Sequence, residues 1–150
     1  MKTLGRILLA TGLATAVSGA FGATATTTFQ VSANVTGACT VSASNLAFGT
    51  YPVNSAADID ASSTITVNCP TGLPYSVSVP TPASRTMTGP GAATLTYGLF
   101  SDAGRTSGFA AAGTGSGANQ NITVFGRIPL GQTPASQGAF NDTVTVTVTY

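Results

Sequence analysis

The chain has 150 residues and few formal charges, with five Lys or Arg against four Asp or Glu and no histidine. This composition excludes the basic surface of a nucleic-acid-binding or lipid-binding protein. It also gives little electrostatic protection against self-association. The length suits a single domain with one hydrophobic core.

The N-terminal residues 1–22 have the pattern of an export signal. Lys2 and Arg6 precede the apolar run 7–17, and small residues follow it. The run is shorter than the roughly 20 residues that a membrane-spanning helix needs. We expect cleavage at the end of this segment or, alternatively, after Ala25. The exported chain then holds three arginines and four aspartates, for a net charge of −1.

A first alternating stretch follows at 29–35. Its apolar positions share one face of a strand with a period of two, and they are Phe29, Val31, Ala33 and Val35. From this pattern alone, the ordinary interpretation is the first strand of the chain's own domain. The alternative is a strand that fills a place in the sheet of a neighbouring molecule.

Further strands are predicted along the chain, with no helical period beyond the signal. They lie at 39–41, 46–51, 63–69, 75–79, 85–87, 95–100 and 122–128. Loops are predicted at 52–62, 109–121 and 129–137, where Gly, Pro and small polar residues concentrate. Many short strands without helices predict an all-β, antiparallel, immunoglobulin-like β-sandwich. The six or seven strands within 39–150 do not settle whether one strand is missing.

The two cysteines, Cys39 and Cys69, predict a disulfide, since an even pair in an exported protein is usually oxidised. A loop of about 30 residues closed in this way contributes about 3–4 kcal/mol in the chain-entropy model. A metal site is the alternative, but two cysteines without histidine supply too few ligands.

The last residues, 143–150, alternate strictly between Thr and an apolar residue. The apolar face is formed by Val144, Val146, Val148 and Tyr150. No turn or partner strand follows in the sequence, so we expect the adjacent place in the sheet to be filled from elsewhere.

Catalysis is not predicted. The serines of the exported chain have no histidine or lysine to activate them. Asp58 and Asp60 are interpreted as residues of a solvated loop. The glycines at 113–117 are not followed by the Lys-Ser/Thr pair of a phosphate-binding loop. We therefore expect no enzyme activity, no cofactor, no metal and no nucleic-acid partner.

Several segments together resemble the spore coat protein U-like domain family, which includes subunits of archaic chaperone–usher pili. The resemblance begins at Phe29 and Cys39-Thr40-Val41 and extends in order over nearly the whole exported chain. It continues through Phe48-Gly49-Thr50-Tyr51, 64–69, Arg85-Thr86-Met87, 95–102, 124–132 and 138–143.

The resemblance implies an incomplete immunoglobulin-like sandwich that lacks its last strand. In this family a periplasmic chaperone lends a strand, and at the outer-membrane usher the N-terminal segment of another subunit replaces it, which is donor-strand complementation. The implied organisation is a signal peptide at 1–22, a donor segment at 23–37 and a pilin domain at 38–150. Phe29, Val31, Ala33 and Val35 are then the donor residues. The acceptor groove and chaperone-binding strand carry Val144, Val146, Val148 and Tyr150.

The implied function is that of a structural pilus subunit, which forms surface fibres for adhesion and biofilm formation. Its expected partners are copies of itself, the chaperone, the usher and a tip adhesin subunit. A single domain with a donor segment is expected of a shaft subunit, since a tip subunit would carry an additional binding domain. Two alternatives remain open: a structural coat protein of a spore or cell surface, and a monomeric secreted carbohydrate-binding sandwich.

Overall fold

The computed structural model describes Gly22 and residues 24–150, so the predicted export signal lies outside the described residues apart from Gly22. The chain divides into two units, Met1–Asn34 and Val35–Tyr150. Residues 24–34 of the first unit contain no helix or strand. The second unit contains the strands described below.

The second unit is an antiparallel β-sandwich of two sheets, as predicted. Its strands are β1 Thr40–Ala43, β2 Ile59–Asn68, β3 Pro74–Ser78, β4 Arg85–Thr88, β5 Thr94–Phe100, β6 Ala110–Thr114, β7 Gln120–Ile128 and β8 Thr147–Thr149. One sheet has the order β1-β2-β7-β5-β4, and the other has the order β6-β3-β8. One short 3₁₀ turn at Pro90–Ala92 is the helical element of the described residues. The immunoglobulin-like all-β class is therefore confirmed.

The core lies between the sheets and is built from the inward-facing half of each alternating strand. Ile65 and Val67 of β2 face the core, and so do Leu95, Tyr97 and Leu99 of β5. Val77 of β3, Phe109, Val124 and Ile128 complete the most buried part. Because the alternation is regular, the register of each strand is set by which face is apolar.

The predicted disulfide is confirmed. Cys39 and Cys69 are bonded across 30 residues of sequence. Cys69 is fully buried at the end of β2, and Cys39 directly precedes β1. The bond lies beside the first pair of the β1–β2 ladder, Thr40 with Asn68. It therefore fixes the point at which the N-terminal segment enters the sandwich.

The predicted loop at 109–121 is wrong over part of its length, because β6 and the first residues of β7 lie there. The segment Ala-Ala-Ala-Gly-Thr has none of the large β-branched residues that indicate a strand. It is nevertheless paired with β3, and Gly113 lies opposite Tyr75. A Cβ at Gly113 would lie 2.8 Å from the Tyr75 hydroxyl oxygen. Position 113 therefore has no side chain because the Tyr75 ring occupies the space beside it.

Asp60 is likewise not in a loop, because β2 begins at Ile59. Its carboxylate accepts two hydrogen bonds from Arg127 of β7, at 2.8 and 2.9 Å. Arg105 lies 3.1 Å from the same carboxylate, and Asp58 lies 3.3 Å from Arg127. The hydrogen bond from Arg127 lowers the pKa of Asp60. These four residues form a cross-strand ion-pair network.

Candidate interaction groove

A groove lined mainly by apolar side chains enters the core of the sandwich. Ile65, Leu99 and Val124 of the five-stranded sheet line it, between one wall formed by residues 43–48 and another formed by residues 140–146. A first part encloses about 570 Å³ and a second about 860 Å³. The two parts share Leu46, Phe48, Met87, Phe140 and Asn141. The two parts therefore adjoin at these residues and are described together as the groove.

Both walls of the groove have unpaired main chain. In the described structure, no main-chain N–H or C=O group of residues 45–51 or 142–146 makes a hydrogen bond to another main-chain group. The predicted strand at 46–51 thus belongs to neither sheet. Its side chains still alternate, since Leu46 and Phe48 are half-buried while Ala47 and Gly49 are exposed. An added β-strand binds to N–H and C=O groups that have no main-chain partner and lie beside an apolar floor.

The C-terminal wall contains most of the predicted acceptor residues. The strand itself is shorter than predicted, because β8 covers Thr147–Thr149 and pairs with β3. Val144 and Val146 line the groove, and Val148 packs against the buried core. Tyr150 is 56% exposed and does not line the groove. The structure brings the three valines to one face but does not bring Tyr150 to the groove.

A polar cluster of Arg85, Tyr97 and Asp142 lies at the groove, and Tyr97 and Asp142 are among its lining residues. One oxygen of the Asp142 carboxylate accepts a hydrogen bond from the Tyr97 hydroxyl at 2.6 Å and contacts Arg85 Nη2 at 2.8 Å and Nε at 2.9 Å. The Arg85 and Asp142 side chains are 12% and 20% exposed. Since charge-assisted hydrogen bonds of this length are directional, the cluster fixes where residue 142 lies.

The ionisation of the cluster follows from its burial and hydrogen bonds. Burial raises the pKa of Tyr97 to about 12, and the hydrogen bond to Asp142 acts in the same direction. Burial by itself would raise the pKa of Asp142. Hydrogen bonds from Tyr97 and Arg85 outweigh it, so the pKa of Asp142 is lowered. Asp142 is therefore ionised and Tyr97 neutral at physiological pH.

Sequence reasoning missed this cluster, because Arg85 and Asp142 are 57 residues apart. One signal in the sequence could have indicated it. Because the chain has so few charged residues, each of them is a candidate for an ion pair. Two of the other three aspartates of the exported chain pair with arginine. Asp102 instead accepts main-chain hydrogen bonds from Thr106 and Ser107.

Phe140 lies where the two parts of the groove meet. Next to it, Asn141 and Thr88 exchange main-chain hydrogen bonds of 2.9 and 3.0 Å. A Cβ at Gly89 would lie 2.6 Å from the Phe140 ring. The absence of a side chain at position 89 therefore makes room for this ring against the end of β4.

The predicted donor residues are exposed. Phe29 is 86% exposed and Val31 is 80% exposed, and both belong to the first unit. Ala33 is also exposed. Val35, at the start of the second unit, is 91% exposed. Large apolar side chains in water are unfavourable and commonly mark a surface that binds a partner. Their role as donor residues stays a prediction.

The part of the chain that the structure describes lacks two other kinds of site. No helix there is long and apolar enough to cross a membrane. No group of three or more Asp, Glu, Cys or His side chains there is placed to hold a metal ion.

Comparison with known proteins gives a family and a fold. The Spore Coat Protein U domain matches residues 25–147. No curated protein matches the chain. A similar solved structure is the complex of CsuC and CsuE, a chaperone and tip adhesion subunit in pre-assembly form, from the archaic chaperone–usher Csu pili of Acinetobacter baumannii. The match has 24% identity and a TM-score of 0.54. It covers 77% of this chain and 40% of that chain, so this chain spans less than half of its length.

Proposed function

The chain belongs to the Spore Coat Protein U domain family, and on this premise we propose that it is a structural subunit of an archaic chaperone–usher pilus. Subunits polymerise when the N-terminal segment of one molecule occupies the groove of the next. The resulting fibre stands on the cell surface and serves adhesion and biofilm formation. The role is structural rather than catalytic.

The observation that supports this proposal best is the groove with unpaired main chain on both walls. Residues 45–51 and 142–146 both line the groove beside its apolar floor, and in the described structure neither makes hydrogen bonds between main-chain groups. A strand placed between them bonds to main chain and covers Leu99, Val124 and Ile65. An immunoglobulin-like sandwich is completed by one such strand.

The donor segment has the matching pattern. Residues 29–35 in strand conformation span about 20 Å, with successive same-face side chains about 6.6 Å apart. Val144, Val146 and Val148 repeat at the same spacing. Burying Phe29, Val31, Ala33 and Val35 contributes roughly 5–10 kcal/mol as an upper estimate. Ladder hydrogen bonds add about 0.5–1.5 kcal/mol each, which suits a linkage that rarely opens.

The same groove explains why a chaperone and an usher are proposed as partners. A subunit with an open apolar groove is prone to aggregation before assembly, so a periplasmic chaperone covers it. At the outer-membrane usher, the N-terminal segment of another subunit then replaces the chaperone's strand. A tip adhesin subunit lies at the end of the fibre. The solved structure of similar fold holds a chaperone with a tip adhesion subunit before assembly, which supports a chaperone partner here.

The test uses alternate faces of the donor segment in the full chain. Val31→Asp places a charge on the face that enters the groove, and Ser32→Asp places the same charge on the opposite face. We expect Val31→Asp to abolish surface fibres in electron micrographs and the ladder of polymers in unheated detergent gels. Ser32→Asp should leave both intact, because its side chain points away from the groove.

Removal of residues 23–35 gives the stronger form of the same test. Fibres that persist after this deletion would contradict the donor role. A chain that is a stable, fully paired monomer without helpers would instead favour the carbohydrate-binding alternative. Layers on the cell surface without fibres would favour a coat protein.

A further inference from the structure

The C-terminal wall of the groove is held by side chains rather than by a β-ladder. Its main-chain anchors lie outside it, at the Thr88–Asn141 bridge and at β8, which begins at Thr147. Within the described structure, residues 142–146 between these anchors have no main-chain partner. Interactions other than main-chain hydrogen bonds must therefore set the distance between this wall and the floor of the groove.

The polar cluster of Arg85, Tyr97 and Asp142 is placed to do this. Arg85 begins β4, and Tyr97 lies opposite it in β5. Besides Asp142, Arg85 donates through Nη1 to the carbonyl oxygen of Pro80 at 2.8 Å, just beyond β3. Its Nη2 also lies 3.5 Å from the carbonyl oxygen of Thr143. The cluster thus joins the wall to strands of both sheets.

We propose that Arg85, Tyr97 and Asp142 are positioning residues that hold the 142–146 wall ready to receive the strand of a neighbouring copy. The inference rests on the proposed function, since it concerns the same groove. Breaking a partly buried ion pair leaves one polar group without its partner, and the wall then loses its fixed distance. An inserted strand needs that distance, because hydrogen bonds weaken steeply when geometry departs from the ideal.

The experiment compares two chemically identical substitutions in the full chain. Asp142→Asn removes the charge from the cluster and keeps its shape. Asp60→Asn removes a carboxylate charge that is also held by arginine, but Asp60 does not line the groove. Fibres are purified from cells, and the rate at which detergent releases single subunits is measured. We expect Asp142→Asn to release subunits about tenfold faster, equivalent to ~1.4 kcal/mol in the activation free energy of release, and Asp60→Asn to change the rate less than twofold.

A second variant covers the case in which Asp142→Asn does not fold. Tyr97→Phe keeps the ring, its edge-to-face contact with Phe48 and the Arg85–Asp142 pair. It removes the hydrogen bond that the hydroxyl donates to Asp142 and the one that it accepts from Arg85. It should release subunits about threefold faster. Urea unfolding of the released subunits provides the readout that separates positioning from general stability. We expect Asp142→Asn and Asp60→Asn to shift the unfolding midpoint of the released subunit by similar amounts.

Equal release rates for the unchanged protein, Asp142→Asn and Tyr97→Phe would overturn the inference. So would a loss of subunit stability in Asp142→Asn as large as the loss at the linkage. Failure of the proposed function looks different, because the unchanged protein would then form no fibres.

Discussion

Among single residues, Tyr97 gives the clearest pH prediction. Its pKa in the folded protein is raised from 10.0 to about 12, first by burial and then by the hydrogen bond to Asp142. The folded state therefore holds this proton more tightly than the unfolded chain. The corresponding stabilisation is fully present below about pH 10 and is lost as the pH rises from about 10 to about 12.

The measurement is the difference in ultraviolet absorbance titration between the protein and Tyr97→Phe. We expect the difference to show one tyrosine that ionises near pH 12. A midpoint near 10 would mean that the hydroxyl is not buried against Asp142.

Gly89 and Phe140 form a second residue-scale pair. In Gly89→Ala the new methyl group would lie 2.6 Å from the ring, so the ring must move. Overpacking of this kind costs about 1–3 kcal/mol. Urea unfolding should show this loss for Gly89→Ala alone and a smaller loss in the presence of Phe140→Leu, which makes room for the methyl group. Equal losses in both backgrounds would show that the two positions are not coupled.

The strands that could be predicted from sequence were those with alternating β-branched or aromatic residues. Most of β5, β7 and the second half of β2 were found in this way, because one face of each is apolar and the other is not. The first half of β2 and all of β6 were missed. Their residues are small or polar, and what makes them strands is the partner beside them rather than their own preference.

The segment 46–51 shows the reverse relation between sequence and structure. Its alternation is that of a strand, yet it belongs to neither sheet in the described structure. The C-terminal segment shows the same difference. Its sequence alternates as a strand over residues 143–150, but only the three residues Thr147–Thr149 form a strand in the described structure. Each of these two segments lines the groove and has a strand-forming sequence. The pattern therefore agrees with a site for a strand that another molecule provides.

For the whole molecule, the disulfide is expected to make a large contribution to stability. Cys39→Ser with Cys69→Ser should lower the free energy of unfolding by about 3–4 kcal/mol, because it frees a loop of about 30 residues in the unfolded chain. Urea unfolding with and without reductant measures this loss. If reduction leaves the unfolding midpoint unchanged, the bond does not contribute in the way that the chain-entropy argument requires.

For the whole molecule, the fold class and the disulfide were predictable from the sequence. Composition and strand pattern indicated a two-layer antiparallel sandwich, and export with two cysteines indicated the disulfide. The groove and the cluster at it were not predictable. They depend on contacts such as Arg85 with Asp142, which strand pattern does not encode because it reports local periodicity.

The placement of the disulfide has a mechanical consequence for a fibre linked through residues 29–35. In the proposed fibre, tension would reach each subunit through the chain just before β1, which is a four-residue edge strand paired on one side. Hydrogen bonds of an edge strand would peel apart one after another under such a pull. The Cys39–Cys69 bond instead passes the force to the end of β2, which is paired along both edges. The covalent cross-link thus stands at the point where a stretched filament would otherwise begin to unravel.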